Sequence, residues 1–362
     1  MPHLGENTLR LQAYLFGATL KLRPLTQDHF EALYQAAADP LIWEQHPDRE
    51  RYKKEVFQKY FASGIASQGA FAIFKEDQLI GSSRYTMFNP ETSSVEIGYT
   101  FLKREYWGQK INLELKCLML NYAFRFVSTC YFVVGAQNLR SQKAMAKIGG
   151  KPISGVGATP VQTDFSKSVV FEITKSQWQD QNFLEPIFHQ NSLETSRMAL
   201  EPIEVDHAPE MCELFSDKEL HKFVPFEALS LEDQVSRCSR WAKRRSPEGD
   251  EVWLNWAGRE RESQKVIAHF QVGIKFDGTA SIGYLVARNF QRQGFASEAI
   301  SILFAYLNSE LKLREVKLWT DTRNIASHQL AKKMGMICVD TIKEADFFKG
   351  ATSDEFVFSK VF

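Results

Sequence analysis

The chain carries one long stretch of text twice, and that constrains its fold more than its composition does. Leu22-Arg23-Pro24-Leu25-Thr26-Gln27-Asp28-His29 returns as Leu200-Glu201-Pro202-Ile203-Glu204-Val205-Asp206-His207, 178 residues further on. Ile97-Gly98-Tyr99 returns as Ile282-Gly283-Tyr284 after 185 residues, Gly108 as Gly294 after 186, and Asn138 with Ser141 as Asn324 with Ser327, also after 186. Four landmarks in one order at nearly constant spacing indicate a duplicated domain, not a short-period solenoid. At 362 residues, each copy is long enough to bury a core of its own. The expected division is residues 1–175, a Gln-rich polar linker at 176–195, and residues 196–362. Phe183, Leu184, Ile187 and Phe188 are the linker's apolar residues, available to pack on a domain.

Hydrophobic periodicity gives both copies the same element order. In the first, Ala18 to Pro24 reads as a strand, Asp28 to Ala38 and Glu50 to Phe61 as helices, and Ala70 to Phe74, Leu79 to Met87 and Val95 to Leu102 as a meander. A helix over Gly108 to Phe126, a strand Tyr131 to Val134, a helix Ser141 to Ile148 and a strand Ser168 to Ile173 follow. The second runs through strand Met198 to Ile203, helices Ala208 to Phe215 and Leu231 to Lys243, and strands Val252 to Ala257, Val266 to Ile274 and Ala280 to Val286. It closes with helix Ser297 to Leu307, strand Glu315 to Thr320, helix Ala326 to Met334 and strand Phe356 to Phe358. Both halves are therefore α/β, of the α+β mixed-sheet kind.

Gln291-Arg292-Gln293-Gly294-Phe295-Ala296 stands between the strand ending at Val286 and the helix beginning at Ser297. A helix start leaves N–H groups without intrahelical partners and adds the positive end of its dipole, so such a turn can cradle a pyrophosphate. Gly294 and Ala296 are small where a phosphate must approach the backbone. Strand, Gln/Arg-x-x-Gly-x-Gly/Ala and helix together resemble the pyrophosphate-binding motif of the GNAT superfamily of N-acetyltransferases. The Leu-Arg-Pro-Leu opening and the Asn-x-x-Ser phrase resemble its ribosomal-protein alanine acetyltransferase branch (RimJ/RimL-like). The resemblance spans both copies and implies two tandem GNAT-like acyl-CoA N-acyltransferase domains that use acetyl-CoA.

The same resemblance implies site residues. Gln291, Arg292, Gln293, Gly294, Phe295, Ala296 and Ser297 would hold the pyrophosphate, and the backbone of Tyr284, Leu285 and Val286 would bond the pantetheine amides. Asn324 would bond the pantetheine, and Ser327 would give a proton to the departing thiolate, although Asn or Ser at a helix start is ordinarily an N-cap. Removing the amine's proton calls for a carboxylate, a histidine or water. Glu96 is placed for this in the first half; Ser281 replaces it in the second, where His269 is the substitute and Glu227 is no better. Gly108, Lys110 and Asn138 are the first half's cofactor candidates. Aligning Gly108 with Gly294 puts Glu105 where Gln or Arg is wanted and Lys110 where a small residue is wanted. Tyr106-Trp107-Gly108 also looks like a family variant in which a second glycine stands at Lys110. The second half is favoured as catalyst.

Charge is balanced, 44 basic against 44 acidic side chains, which argues against a nucleic-acid partner and against the tRNA-dependent aminoacyl transfer of other tandem enzymes. The five cysteines show no metal-ligand spacing, so no metal is expected. No signal peptide or membrane span is evident, and a cytoplasmic location is expected. The acceptor is an amine, either a protein N-terminus or a small molecule. The rival reading is a non-catalytic acyl-CoA-binding or scaffold protein.

Overall fold

Residues 70–74, Ala-Phe-Ala-Ile-Phe, are apolar at every position, which suits a strand covered on both faces. The computed structural model, which describes residues 9, 11–153, 161, 163–180, 190–247 and 249–362, places them in such a strand. The chain divides into two compact units, Met1–Pro186 and Ile187–Phe362.

The first unit contains β1 (Leu15–Phe16), β2 (Leu20–Pro24), α1 (Phe30–Ala37), α2 (Lys54–Ala66), β3 (Ala70–Lys75), β4 (Gln78–Asn89) and β5 (Ser94–Leu102). It continues with α3 (Ile111–Ala123), β6 (Thr129–Gly135), α4 (Leu139–Lys147), β7 (Lys151–Ile153), β8 (Ser168–Thr174) and α5 (Lys175–Asp180). Its strands form one sheet in the order β1-β2-β3-β4-β5-β6-β8-β7. Neighbouring β4 residues reach opposite sides: Arg84 donates to Ser63 Oγ of α2 at 3.0 Å, whereas Tyr85 donates to the Met119 carbonyl of α3. The sheet is thus sandwiched between α2 and α3. Phe57, Phe71 and Ile73 are fully buried there, each contributing about 1.5–3 kcal/mol relative to exposure.

The second unit contains β9 (Leu193–Glu194), β10 (Met198–Pro202), α6 (Ala208–Phe215), α7 (Leu231–Trp241), β11 (Glu251–Glu260), β12 (Val266–Lys275) and β13 (Thr279–Val286). α8 (Phe295–Ala305), β14 (Glu315–Asp321), α9 (Ile325–Lys333), β15 (Ile337–Phe348) and β16 (Ala351–Val361) complete it. Its sheet reads β9-β10-β11-β12-β13-β14-β16-β15, the first sheet's order repeated strand for strand. Small devices are duplicated as well. The His29 ring accepts the Thr26 N–H, and the His207 ring accepts the Glu204 N–H, both at 3.1 Å. Asp39 accepts from Leu41 N and pairs with Arg104; Asp217 accepts from Glu219 N and pairs with Arg288.

Three expectations need correction. The span read as linker is structured at both ends: α5 anchors through Trp178, whose indole donates to Asn121 at 2.6 Å, and β9 pairs with β10. Phe183, Leu184, Ile187 and Phe188 lie outside the described residues. The closing strand, expected only at 356–358, is the long hairpin β15–β16. β15 is exposed along almost its whole length, so no one-sided burial imposes an alternating pattern on its sequence.

The third correction concerns which residues of the two copies correspond. Tyr99 has φ +55° and sits at a register break between β4 and β5, whereas β12 and β13 pair without interruption. A bulge adds one residue to one strand. The displacement therefore drops within β5, and α3 and α8 open at Ile111 and Phe295, 184 residues apart. Lys110, not Gly108, stands at the position of Gly294, and Gly108 stands at that of Arg292. Backbone angles agree at the latter pair, with φ +75° at Gly108 and +58° at Arg292, whereas the N-caps differ, φ −71° at Lys110 against +91° at Gly294. The π-helical turn Tyr306–Glu310 after α8 restores the larger spacing before β14.

Candidate functional site

Each sheet comes apart at the same place. β5 and β6 run parallel but pair only from Ser94–Thr129 to Glu96–Tyr131; β13 and β14 pair only from Thr279–Glu315 to Ser281–Lys317. Beyond those rungs, Ile97–Leu102 part from β6 and Ile282–Val286 from β14 while staying paired with β4 and β12, and the facing edges are open to a ligand with amide groups. Of the three expected residues, Tyr284 and Val286 turn their backbone groups to this edge, whereas Leu285, alternating with them, is bonded to His269 of β12 and is corrected as a pantetheine partner.

In the second half, this split leads to the helix start that the sequence singled out. Gly294 is the N-cap of α8 with φ +91°, a conformation L side chains rarely adopt, and Arg292 before it is also left-handed at +58°. Phe295 is buried as the helix's anchor, and Ala296 and Ser297 continue its first turn. The N–H groups of this turn have no partner inside the helix. The glutamine side chains shape the turn: Gln291 donates to the Val286 carbonyl at 2.9 Å and Gln293 to the Asn289 carbonyl at 2.6 Å. Each amide thereby spends one of its two N–H donors on the turn itself.

Sequence reasoning missed Arg197. Its Nη1 donates to the Gln293 carbonyl at 3.0 Å, its guanidinium lies 4.2 Å from the centre of the Phe295 ring, and Nη2 approaches within 3.3 Å of where a Cβ on Gly294 would stand. Glu298 positions it through a 2.8 Å ion pair. Burial would raise the Glu298 pKa, but hydrogen bonds from Thr195, Ser196 and Arg197 hold it near 2. The available signal was the spacing of 178, which places Arg197 opposite Thr19; Thr19 is tied in the same way to Glu114.

At the other end of the split, the Tyr284 hydroxyl lies 2.8 Å from Ser327 Oγ, joining β13 to α9. Burial raises the Tyr284 pKa, an effect its bond to Ser327 opposes. Asn324 Oδ1 accepts the Ser327 N–H and caps α9, and Asn138 caps α4 through Ser141 in the same way, both at 3.1 Å. The carbonyl oxygens of both asparagines are thus occupied, leaving their NH₂ groups for a ligand.

His269 is corrected from base to core residue. It is 7% exposed, Nε2 lies 3.0 Å from Asn255 Oδ1, and its ring stacks on Trp241 at 4.7 Å. Burial, then Arg237, pushes its pKa down to about 3, too weak a base for an ammonium. Glu227 is exposed in the segment before α7. Glu96 in the first half is different: burial raises its pKa to about 7, and its Oε1 lies over Gly98, 3.0 Å from the position of an added Cβ. It has no hydrogen-bond or ion-pair partner among the described residues. Ser281 in its place donates to the Gly273 carbonyl. Lys110 is exposed at the N-cap of α3. No cluster of metal-ligating side chains occurs among the described residues, and no helix among them is long and apolar enough to cross a membrane.

Two mixed sheets that part at one rung, each followed by a helix start, define a tandem acyl-CoA transferase fold. A family model described as "Acetyltransferase (GNAT) domain" matches residues 19–151 and again 197–337, and the chain belongs to that family. It is accordingly an acetyltransferase with acetyl-CoA as the donor. Similar curated proteins include the uncharacterized N-acetyltransferase p20 of Bacillus licheniformis, 25% identical over 46% of this chain and 94% of its own length. Another is the FsC-acetyl coenzyme A-N(2)-transacetylase of Aspergillus fumigatus, 29% identical over 42% of this chain and 67% of its own. Among solved structures, a GNAT-family acetyltransferase from Bacillus anthracis aligns with 19% identity and TM-score 0.42, covering 47% of this chain and 98% of its own. A ribosomal L7/L12 alpha-N-protein acetyltransferase in complex with coenzyme A aligns with 16% identity and TM-score 0.41 over 47% and 98%.

Proposed function

We propose that the second half transfers an acetyl group from acetyl-CoA to a primary amine, a protein N-terminus or a small amine, by direct attack within a ternary complex. The carrying observation is that the left-handed Gly294 turn and the open edge of β13 lie at one end of the same split, with the Tyr284–Ser327 hydroxyl pair across it. The residues fit the donor. Unpaired N–H groups of α8, with the Arg197 guanidinium beside them, suit a pyrophosphate, and the edge presented by Tyr284 and the Val286 N–H suits amides. Acetyl-CoA, when bound, supplies a thioester carbon open to nucleophiles.

Ser327, backed by Tyr284, delivers a proton to the leaving sulfur. A free thiol has a pKa of about 8.5, so this assistance is helpful rather than indispensable. Ser281 cannot act as a base, so the amine's proton passes to water. The relatives' names, an N(2)-transacetylase and a ribosomal-protein alpha-N acetyltransferase, support amine acceptors.

The test is thiol release from acetyl-CoA across a panel of N-terminal peptides and small amines. In a chain carrying Glu96→Gln, which silences any contribution from the first half, amine-dependent release that Ser327→Ala slows about tenfold, with KM for acetyl-CoA unchanged, is the expected result. Absence of amine-dependent release from the unmodified chain would overturn the proposal.

A further inference from the structure

Lys116 lies on α3 in the first half and is only 2% exposed. Its Nζ donates to Thr100 Oγ1 at 2.8 Å and lies 5.3 Å from the centre of the Phe132 ring. Thr100 belongs to β5 and Phe132 to β6, each past the last rung that joins those strands. The ammonium therefore spans the two lips of the split. At the corresponding position of α8 the second copy has Ile300, which is just as buried. The same helix packs on the same sheet with a hydrocarbon there, so the fold does not require a charge.

An ammonium has three N–H donors, and among the described residues Nζ uses one, on a hydroxyl that already lies 2.7 Å from Ser83 Oγ. Burial pushes its pKa down to about 7. Burial without a counter-ion is the cause of that shift, and two of the three donors have no partner among the described residues. Glu96 completes the setting. Its carboxyl lies over Gly98, which pairs with Arg84 on the α2 side, while Thr100 and Lys116 lie on the α3 side. A carboxylate without a partner and an ammonium with spare donors thus flank one split from opposite faces.

We propose that the first half is a second acetyl-transfer centre, in which Lys116 donates hydrogen bonds to the thioester carbonyl oxygen as that oxygen gathers negative charge. This rests on the acetyltransferase reading of the fold. Glu96 takes one proton from the acceptor's ammonium. The nitrogen lone pair forms the C–N bond while the carbonyl π pair moves onto the oxygen beside Lys116. The pair returns as the C–S bond breaks, the sulfur leaves as thiolate and takes the second nitrogen proton, and Glu96 passes its own proton to water. Donors placed where charge develops, in a site shielded from water, are worth about 100- to 1,000-fold in rate. The second half has no such group at Ile300.

The test uses the full chain carrying Gly294→Glu, which disables the second half's turn. Amine-dependent thiol release should persist in this variant. Adding Lys116→Met should lower kcat about 100-fold, change KM for acetyl-CoA less than about threefold, and raise the melting temperature, because an uncompensated buried charge is removed. Lys116→Arg, which keeps the charge, should retain more activity than Lys116→Met. Unchanged kcat in Lys116→Met, or a lower melting temperature with acetyl-CoA affinity lost, would make Lys116 a packing residue and overturn the proposal. Thiol release that vanishes with Gly294→Glu alone would leave the first half without a centre. No release from the unmodified chain would instead contradict the acetyltransferase reading itself.

Discussion

The two halves share strand order and split, yet the side chains around the split differ. The second keeps the small residue at the helix start, Gly294, and a guanidinium beside it, but has serine where a base would stand. The first has Lys110 at that helix start, yet keeps Glu96 near pKa 7 and places Lys116 between the parted strands. Duplication thus preserved the sheet, whose register any change would disrupt throughout, and left side chains around the split free to diverge. Fold and chemistry are separable in this molecule, because the split is a backbone feature and the groups lining it are not.

The sharpest way to break the comparison is at the helix start. Gly294→Glu adds a side chain at φ +91°, brings a carboxylate to the anion site and should weaken acetyl-CoA binding by the second half at least 100-fold; equilibrium titration reads it. Next in size is the base. In the Gly294→Glu chain, kcat/KM should fall about tenfold per pH unit below pH 7, because Glu96 must be ionised to accept a proton and its pKa is raised to about 7. Glu96→Gln should remove that limb of the profile, whereas second-half activity should show no limb assignable to Glu96.

Smaller effects sharpen the assignment of the hydroxyl pair. Tyr284→Phe removes the partner of Ser327 and should slow second-half transfer roughly threefold to tenfold without changing acetyl-CoA affinity, as steady-state kinetics would show. His269→Ala should leave kcat unchanged and cost roughly 1–3 kcal/mol of stability in denaturant unfolding, since it strands Asn255 and empties the stack on Trp241.

Much of the fold was legible in the sequence because repetition and periodicity are local signals. Two helices and a meander in each copy follow from apolar spacing, and the turn at 291–294 from a glycine between strand and helix. What escaped depends on contacts distant in sequence. Tyr99 contributes one extra residue to β5, held by the Tyr60 hydroxyl on its carbonyl and by Arg84 against its ring, and nothing in residues 97–99 themselves signals a bulge. That single residue displaced Gly108 from its apparent counterpart. His269 reads as a base until Trp241 and Asn255 enclose it, and Arg197 reads as a surface arginine until Glu298, 101 residues away, turns it toward the helix start.

The most direct measurement is native mass spectrometry of the full chain titrated with acetyl-CoA, counting bound equivalents for the unmodified chain and for Gly294→Glu. The variant should stay folded and bind one equivalent fewer than the unmodified chain. Equal occupancy in the two, at every concentration of acetyl-CoA, would contradict the placement of the donor at the second half's split.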